Sequence, residues 1–265
     1  MWGIIPAAGE GRRIQPLAFS KELLPVGTTA ASRNTPRAVS DFVVERMACA
    51  GVETISFVIS PLKTDILRYH GAGQGNVRYV YHVQALAKGL CDALFCPASL
   101  IPESETVLIG LPDTVWFPVD GYRQLPPDIL SFLLFPVKAP WNFDVVNTNG
   151  EGDVANIQVK DPHALNPWVW GAIKMPGRIY HALHQLWKSR SCQDEFLGTL
   201  VNEFLVQGGK AKGIQAGTQY LDVGTIEGFH EACRLLGGAS PPGELATSLE
   251  RSDVADNGAA YGLRS

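Results

Sequence analysis

At 265 residues, 46% hydrophobic and 18% charged, the chain can bury a sizeable core and does not have the composition of a disordered protein. A formal net charge of −4 argues against a general nucleic-acid binder, which carries an excess of Lys and Arg. No apolar run reaches the roughly 18 residues of a membrane span, and Met1–Pro6 lacks the basic start and long apolar run of a secretion signal, so a cytoplasmic protein is expected.

In chain order, Trp2–Ala7 reads as a first buried strand, followed by strands over Thr54–Ser60, Val77–Val83 and Thr106–Leu111. Between them Asp41–Ala50, Lys63–Tyr69 and Gly89–Phe95 have helical apolar spacing, with Asp41 and Thr64 placed as N-caps or first-turn residues. Strand and helix in alternation, with continuously apolar strands, predict an α/β fold: a Rossmann-like, mainly parallel sheet covered by helices on both faces. The middle is different. Ile129–Lys138, Phe143–Asn147, Val154–Lys160 and Val169–Met175 are strand-like with no helices between, and Asn147–Gly152 is a turn, so Phe143–Lys160 is expected to be a hairpin. Helices near Pro176–Lys188 and Glu195–Gln207, a strand at Lys212–Ala216, a Tyr220–Gly224 segment and a helix at Ile226–Leu236 complete the pattern. Beyond Gly237 the residues turn small and polar, predicting one domain over 1–237 and a flexible tail over 238–265.

The five cysteines (Cys49, Cys91, Cys96, Cys192 and Cys233) have none of the paired spacings of a disulfide framework or structural zinc site. His181 and His184 lie three apart on a predicted helix but have no third ligand nearby, and read as ordinary imidazoles.

Chemistry concentrates elsewhere. Ile4-Ile5-Pro6-Ala7-Ala8-Gly9-Glu10-Gly11-Arg12-Arg13-Ile14 sets small residues directly after a buried strand, where backbone N–H groups can approach phosphate oxygens. Taken alone, such a turn can use glycine for geometry only. The dinucleotide fingerprint wants glycine where Ile14 stands, and a Walker A loop wants Gly-Lys-Ser/Thr, which is absent. Arg12-Arg13 and then Ser20-Lys21-Glu22-Leu23-Leu24-Pro25-Val26 instead place cations where a polyphosphate would lie against those amides. Two carboxylates, Asp113 at the end of Leu108–Asp113 and Asp222 within Tyr220-Leu221-Asp222-Val223-Gly224-Thr225, fall at strand ends, where ligands of open α/β sheets collect. Hard oxygen ligands of this kind suit Mg²⁺ beside substrate phosphates. Gln84, ending the third strand, can donate and accept at once, which suits a base edge, and Gly89 leaves room for a flat ring.

From Ile4 to Val26 the sequence resembles the signature of sugar-1-phosphate nucleotidyltransferases, and the resemblance runs over residues 3–236. It implies that Ala8, Gly9, Gly11, Gln84 and Gly89 contact the nucleotide, that Arg13 and Lys21 serve catalysis, and that Asp113 and Asp222 hold Mg²⁺. Ile157–Pro162 is similar to the family's Glu-Lys-Pro segment, with Lys160 on the sugar phosphate but Val159 where the glutamate stands. Gly171, in Trp170–Ile173, matches the strand beside the sugar. By the same resemblance residues 1–125 mainly bind nucleotide and 126–237 mainly sugar phosphate. Arg12 stands where the family often has a small residue, and Ala30–Pro36 is similar to an insertion. The implied substrates are a nucleoside triphosphate (dTTP or UTP, compact length leaning to dTTP) and a sugar-1-phosphate such as glucose-1-phosphate. Any homo-oligomer would have to use the catalytic domain's own surface. Two competing readings are a catalytically inactive nucleotide-sugar-binding regulator of the same fold and a dinucleotide-dependent oxidoreductase, the latter opposed by Ile14.

Overall fold

A computed structural model describes residues 1–29 and 32–237. Ala30 and Ala31, inside the expected insertion, and the expected tail over 238–265 lie outside the described residues. The strands and helices run β1 (Trp2–Pro6), β2 (Pro25–Thr29), β3 (Ser32–Ala38), α1 (Val39–Cys49), β4 (Thr54–Ile59), α2 (Thr64–His70), β5 (Gly73–Gln74), β6 (Val77–Val83), α3 (Leu90–Phe95), β7 (Thr106–Gly110) and β8 (Thr114–Phe117). They continue through β9 (Leu130–Pro136), β10 (Asp144–Thr148), β11 (Val154–Val159), β12 (Trp168–Pro176), α4 (Gly177–Ser189), α5 (Leu197–Val206), β13 (Ala211–Ile214), β14 (Gln219–Asp222) and α6 (Ile226–Leu236). Among the described residues no helix is long and apolar enough to cross a membrane.

A central sheet follows the order β11-β10-β12-β7-β1-β4-β6-β5, with β9 on the other side of β12 and β13 beyond it. Its middle, β7-β1-β4-β6, is parallel, while β12 joins antiparallel to both β7 and β9, and β10 pairs antiparallel with β11. Burial explains the apolar sequence of β1, β4 and β7. Ile4 faces one core with Leu94, Phe132 and Leu200, and its neighbour Ile5 faces another with Val43, Phe57 and Trp116. A strand covered on both faces has no polar side to show. The expected hairpin is present, and its turn is held by Asn149, whose side-chain oxygen accepts from the Glu151 and Asp153 backbones.

The structure adds three pieces to the expected pattern. β2 and β3 form a hairpin, β5 lengthens the sheet by a short edge, and β8 pairs with β14 in a separate two-stranded ladder. A third apolar cluster (Ile14, Val26, Phe42, Val115, Leu221, Val223 and Ala232) packs the N-terminal loop, α1, β8, β14 and α6 together. Each Val, Leu, Ile or Phe side chain of this kind contributes about 1.5–3 kcal/mol when fully buried. This cluster bolts the end of the described chain onto its beginning. His181 gives its ring nitrogen to the Ile101 carbonyl and His184 stacks on Phe95, as ordinary packed imidazoles.

Candidate active site

The β8–β14 ladder decides where the two acidic residues meet. Asp222 pairs with Thr114 in its register, and the Val223 N–H donates to the Asp113 carbonyl at 2.9 Å. Residues more than a hundred positions apart are thereby set side by side at the carboxyl end of β7. Their carboxylates converge: Asp113 Oδ2 and Asp222 Oδ1 each lie 2.9 Å from the point a Cβ on Gly224 would occupy. Gly224 is therefore glycine for space, and its own N–H donates to Asp222 Oδ1 at 3.0 Å. Thr225 caps α6 by accepting from Gly228, and its hydroxyl donates to the Asp222 carbonyl, which fixes the backbone behind the carboxylate.

Two cations stand on this pair. Lys21 Nζ donates to Asp113 Oδ2 at 2.5 Å, and Arg13 Nη1 donates to Asp222 Oδ2 at 2.8 Å. Burial disfavours the Asp113 carboxylate, but the Lys21 ammonium, helped by Arg13, holds it below the usual carboxylate range. Burial likewise works to lower Lys21, and Asp113 with Glu22 and Asp222 holds its ammonium above the usual lysine range. The Lys21 stem runs beside Gly11, whose φ of +68° is the left-handed conformation glycine permits and whose absent Cβ would lie 2.7 Å from Lys21 Cδ. Gly9 has open space around it. Arg12 points outward and pairs with Glu10 at 2.7 Å, with no contact to the cluster.

Ala8 and Gln84 line a cleft of about 900 Å³ beside the loop, together with Glu10, Ser20, Lys63 and Asp65. Gln84 is buried and donates to the Asp92 carboxylate. The residue that comes close at Gly89 is Glu195: a Cβ there would sit 2.5 Å from its Cγ, and the Leu90 N–H donates to its carbonyl. At Gly171 the close neighbours are the Tyr220 and Phe135 rings, 2.6 and 2.7 Å from the absent Cβ. Both glycines are thus required by protein packing. A second hollow of about 980 Å³, between α1, α2 and β5, carries none of the site residues.

Lys160 stands apart from the Arg13–Lys21–Asp113–Asp222 cluster. It follows β11 in a left-handed conformation (φ +46°), with its ammonium 5.5 Å from the Phe196 ring centroid. Facing it is Asp144, directly across from Val159 in the β10–β11 register, with one buried carboxyl oxygen, Oδ1, lacking a hydrogen-bond partner. Burial raises this carboxyl above its usual range, against the pull of Lys160 and the Trp170 indole. Sequence reading passed over Asp144, which stands there only as part of the Phe143–Asn147 strand. It also gave no role to Gly224, although the segment Tyr220-Leu221-Asp222-Val223-Gly224-Thr225 contains it.

An α/β sheet with cations and carboxylates gathered at its strand ends is the frame of a phosphate-handling transferase. Over residues 2–237 the chain matches the family model described as nucleotidyl transferase, and it belongs to that family. Among solved structures it is similar to a Bacillus anthracis protein described as a glucose-1-phosphate thymidylyltransferase, in complex with a sucrose (TM-score 0.75, 22% identity, covering 90% of this chain and 96% of that one). It is also similar to a UTP-bound UGPase from Acinetobacter baumannii (TM-score 0.70, 19% identity, covering 91% and 94%). A UDP-glucose pyrophosphorylase from the same organism follows at TM-score 0.68 and 18% identity, covering 87% and 91%. At these identities the likeness shows the fold. A search of curated proteins returns no match.

Proposed function

We propose that the protein transfers a nucleotidyl group from dTTP or UTP to a sugar-1-phosphate, with glucose-1-phosphate the first candidate. A phosphate oxygen of the sugar-1-phosphate attacks the α-phosphorus, the bond from that phosphorus to the bridging oxygen breaks, and pyrophosphate leaves in line. The observation that carries the reading is the meeting of Asp113 and Asp222 with Lys21 and Arg13 at one end of the sheet. Such chemistry asks the protein for positioning and charge neutralisation more than for covalent work.

The donor set fits a magnesium ion. Two carboxylate oxygens converge, and among the described residues no group of three or more His, Cys, Asp or Glu gathers to hold a metal unaided. Mg²⁺ commonly binds through one or two carboxylates plus substrate phosphates and water. Asp113 and Asp222 would hold it, and when bound it supplies charge neutralisation for the triphosphate. Arg13 and the amides of Ala8–Gly11 would face the departing pyrophosphate, and Lys21 the phosphates near the reacting centre. Lys160 would orient the sugar phosphate. No general base is required, because a phosphate monoester is already ionised near neutral pH.

The test is pyrophosphate release over a panel of nucleoside triphosphates and sugar-1-phosphates with Mg²⁺. Turnover of a pyrimidine triphosphate with a hexose-1-phosphate supports the proposal. A folded protein that releases no pyrophosphate from any pair overturns it and favours the inactive regulator.

A further inference from the structure

Lys21 has a second set of contacts behind it. It sits at the start of a single 3₁₀ turn, Lys21–Leu23, too short to hold a flexible lysine stem by itself. Both flanking residues are anchored to the start of α2. Ser20 donates to Asp65 twice, from its backbone N–H at 2.7 Å and its hydroxyl at 2.6 Å. Glu22 is 1% exposed, and its two oxygens accept from the Lys63 ammonium at 2.7 and 2.9 Å. A buried carboxylate of this kind needs a paired cation, and Lys63 supplies it. The same ammonium donates to the Ala7 carbonyl at 2.8 Å, where β1 gives way to the glycine loop.

One helix start therefore holds three points of the phosphate cradle: the residue before Lys21, the residue after it, and the root of the Ala8–Gly11 loop. Hydrogen bonds tie Lys63 and Asp65 to these supports and, among the described residues, none ties either to Asp113 or Asp222. We infer that Lys63 and Asp65 are positioning residues, which keep the Lys21 ammonium and the loop amides aimed at one triphosphate. The inference rests on the nucleotidyl-transfer reading. Displacement of a catalytic group by an ångström can cost up to about a hundredfold in rate, so a loosened clamp should reach the chemistry through Lys21 and the loop. It should leave the sugar-phosphate side, built from other strands, unchanged.

The experiment uses the full chain and four variants: D65A, D65N, S20A/D65A and the paired replacement E22Q/K63M, which leaves no buried carboxylate unpaired. Two readouts are taken on proteins of unchanged thermal midpoint: steady-state transfer, and the rate at which Lys21 is acetylated by acetic anhydride without substrates, followed by mass spectrometry. D65A and E22Q/K63M should raise Lys21 acetylation severalfold and lower kcat about tenfold, with KM for the sugar phosphate unchanged. D65N, whose amide oxygen still accepts the Ser20 N–H, should recover most of the loss, and S20A/D65A should be no worse than D65A. Unchanged Lys21 acetylation in both clamp variants would overturn the inference, as would raised acetylation with kcat intact. A wild-type protein inert to every substrate pair would instead defeat the transfer reading, and the acetylation ratio would still decide whether the clamp holds Lys21.

Discussion

Asp113, just after β7, and Asp144, at the start of β10, are both carboxyls that burial pushes toward the neutral form. Asp113 is held below its usual range because Lys21 touches it, while Asp144 is left above because Lys160 stands farther off over Phe196. The difference separates two halves of the crevice. Around Lys21 and Arg13 the charges are paired and braced. Around Lys160, by contrast, the buried Oδ1 of Asp144 has no hydrogen-bond partner among the described residues. For the triphosphate proposed to bind there, between Lys21 and Arg13, cations already placed leave little reorganisation to be done.

Substitutions can break that contrast, and the largest effect is expected at its strongest point. D113A removes a carboxylate from the converging pair and should cut pyrophosphate release on the order of a thousandfold with the circular dichroism spectrum unchanged. G224A should follow: its new Cβ would lie 2.9 Å from both carboxylates and force them apart, lowering kcat roughly ten- to a hundredfold in the same assay. K160A should act on the other half alone, raising KM for the sugar phosphate about tenfold while KM for the triphosphate stays put.

The smallest effect belongs to Asp144 and is one of pH. Its folded-state pKa is raised, so the stability it contributes is complete below the ordinary carboxylate range and is lost as pH rises through the raised value. Asp113, held low, works the other way in the metal-free protein, losing its contribution as pH falls through the depressed value. Urea midpoints taken from about pH 4 to about pH 7 should therefore fall more for the wild type than for D144N. Parallel curves for the two proteins would show that its surroundings do not raise the Asp144 carboxyl.

Much of the frame is legible in the chain itself. β1, β4 and β7 are largely apolar because both of their faces are covered, β6 leaves Arg78 and Val83 exposed, and α6 has its Thr225 cap in plain view. β8 was not legible: Thr114–Phe117 follows a Pro-Asp turn and is a strand only because β14, a hundred residues later, pairs with it. The β2–β3 hairpin was hidden for a related reason, since its polar residues show no alternation to betray a buried face. In the site, Arg13, Lys21, Asp113 and Asp222 each stood out by motif, but their meeting depends on the Val223–Asp113 backbone bond. Tertiary contact also explains Gln84 and Gly89, whose immediate neighbours, Asp92 and Glu195, come from α3 and from the segment before α5. The Lys63–Glu22 and Asp65–Ser20 pairs carried no signal at all, because charged residues at a helix start usually face solvent.

That Asp113 and Asp222 act as one unit is tested most directly by measuring Mg²⁺-dependent pyrophosphate release in D113A, D222A and the double variant. Groups that share one task lose nearly everything with the first removal, so the double variant should be no slower than the slower single one. Wild-type turnover in either single variant would contradict a shared cation between the two carboxylates.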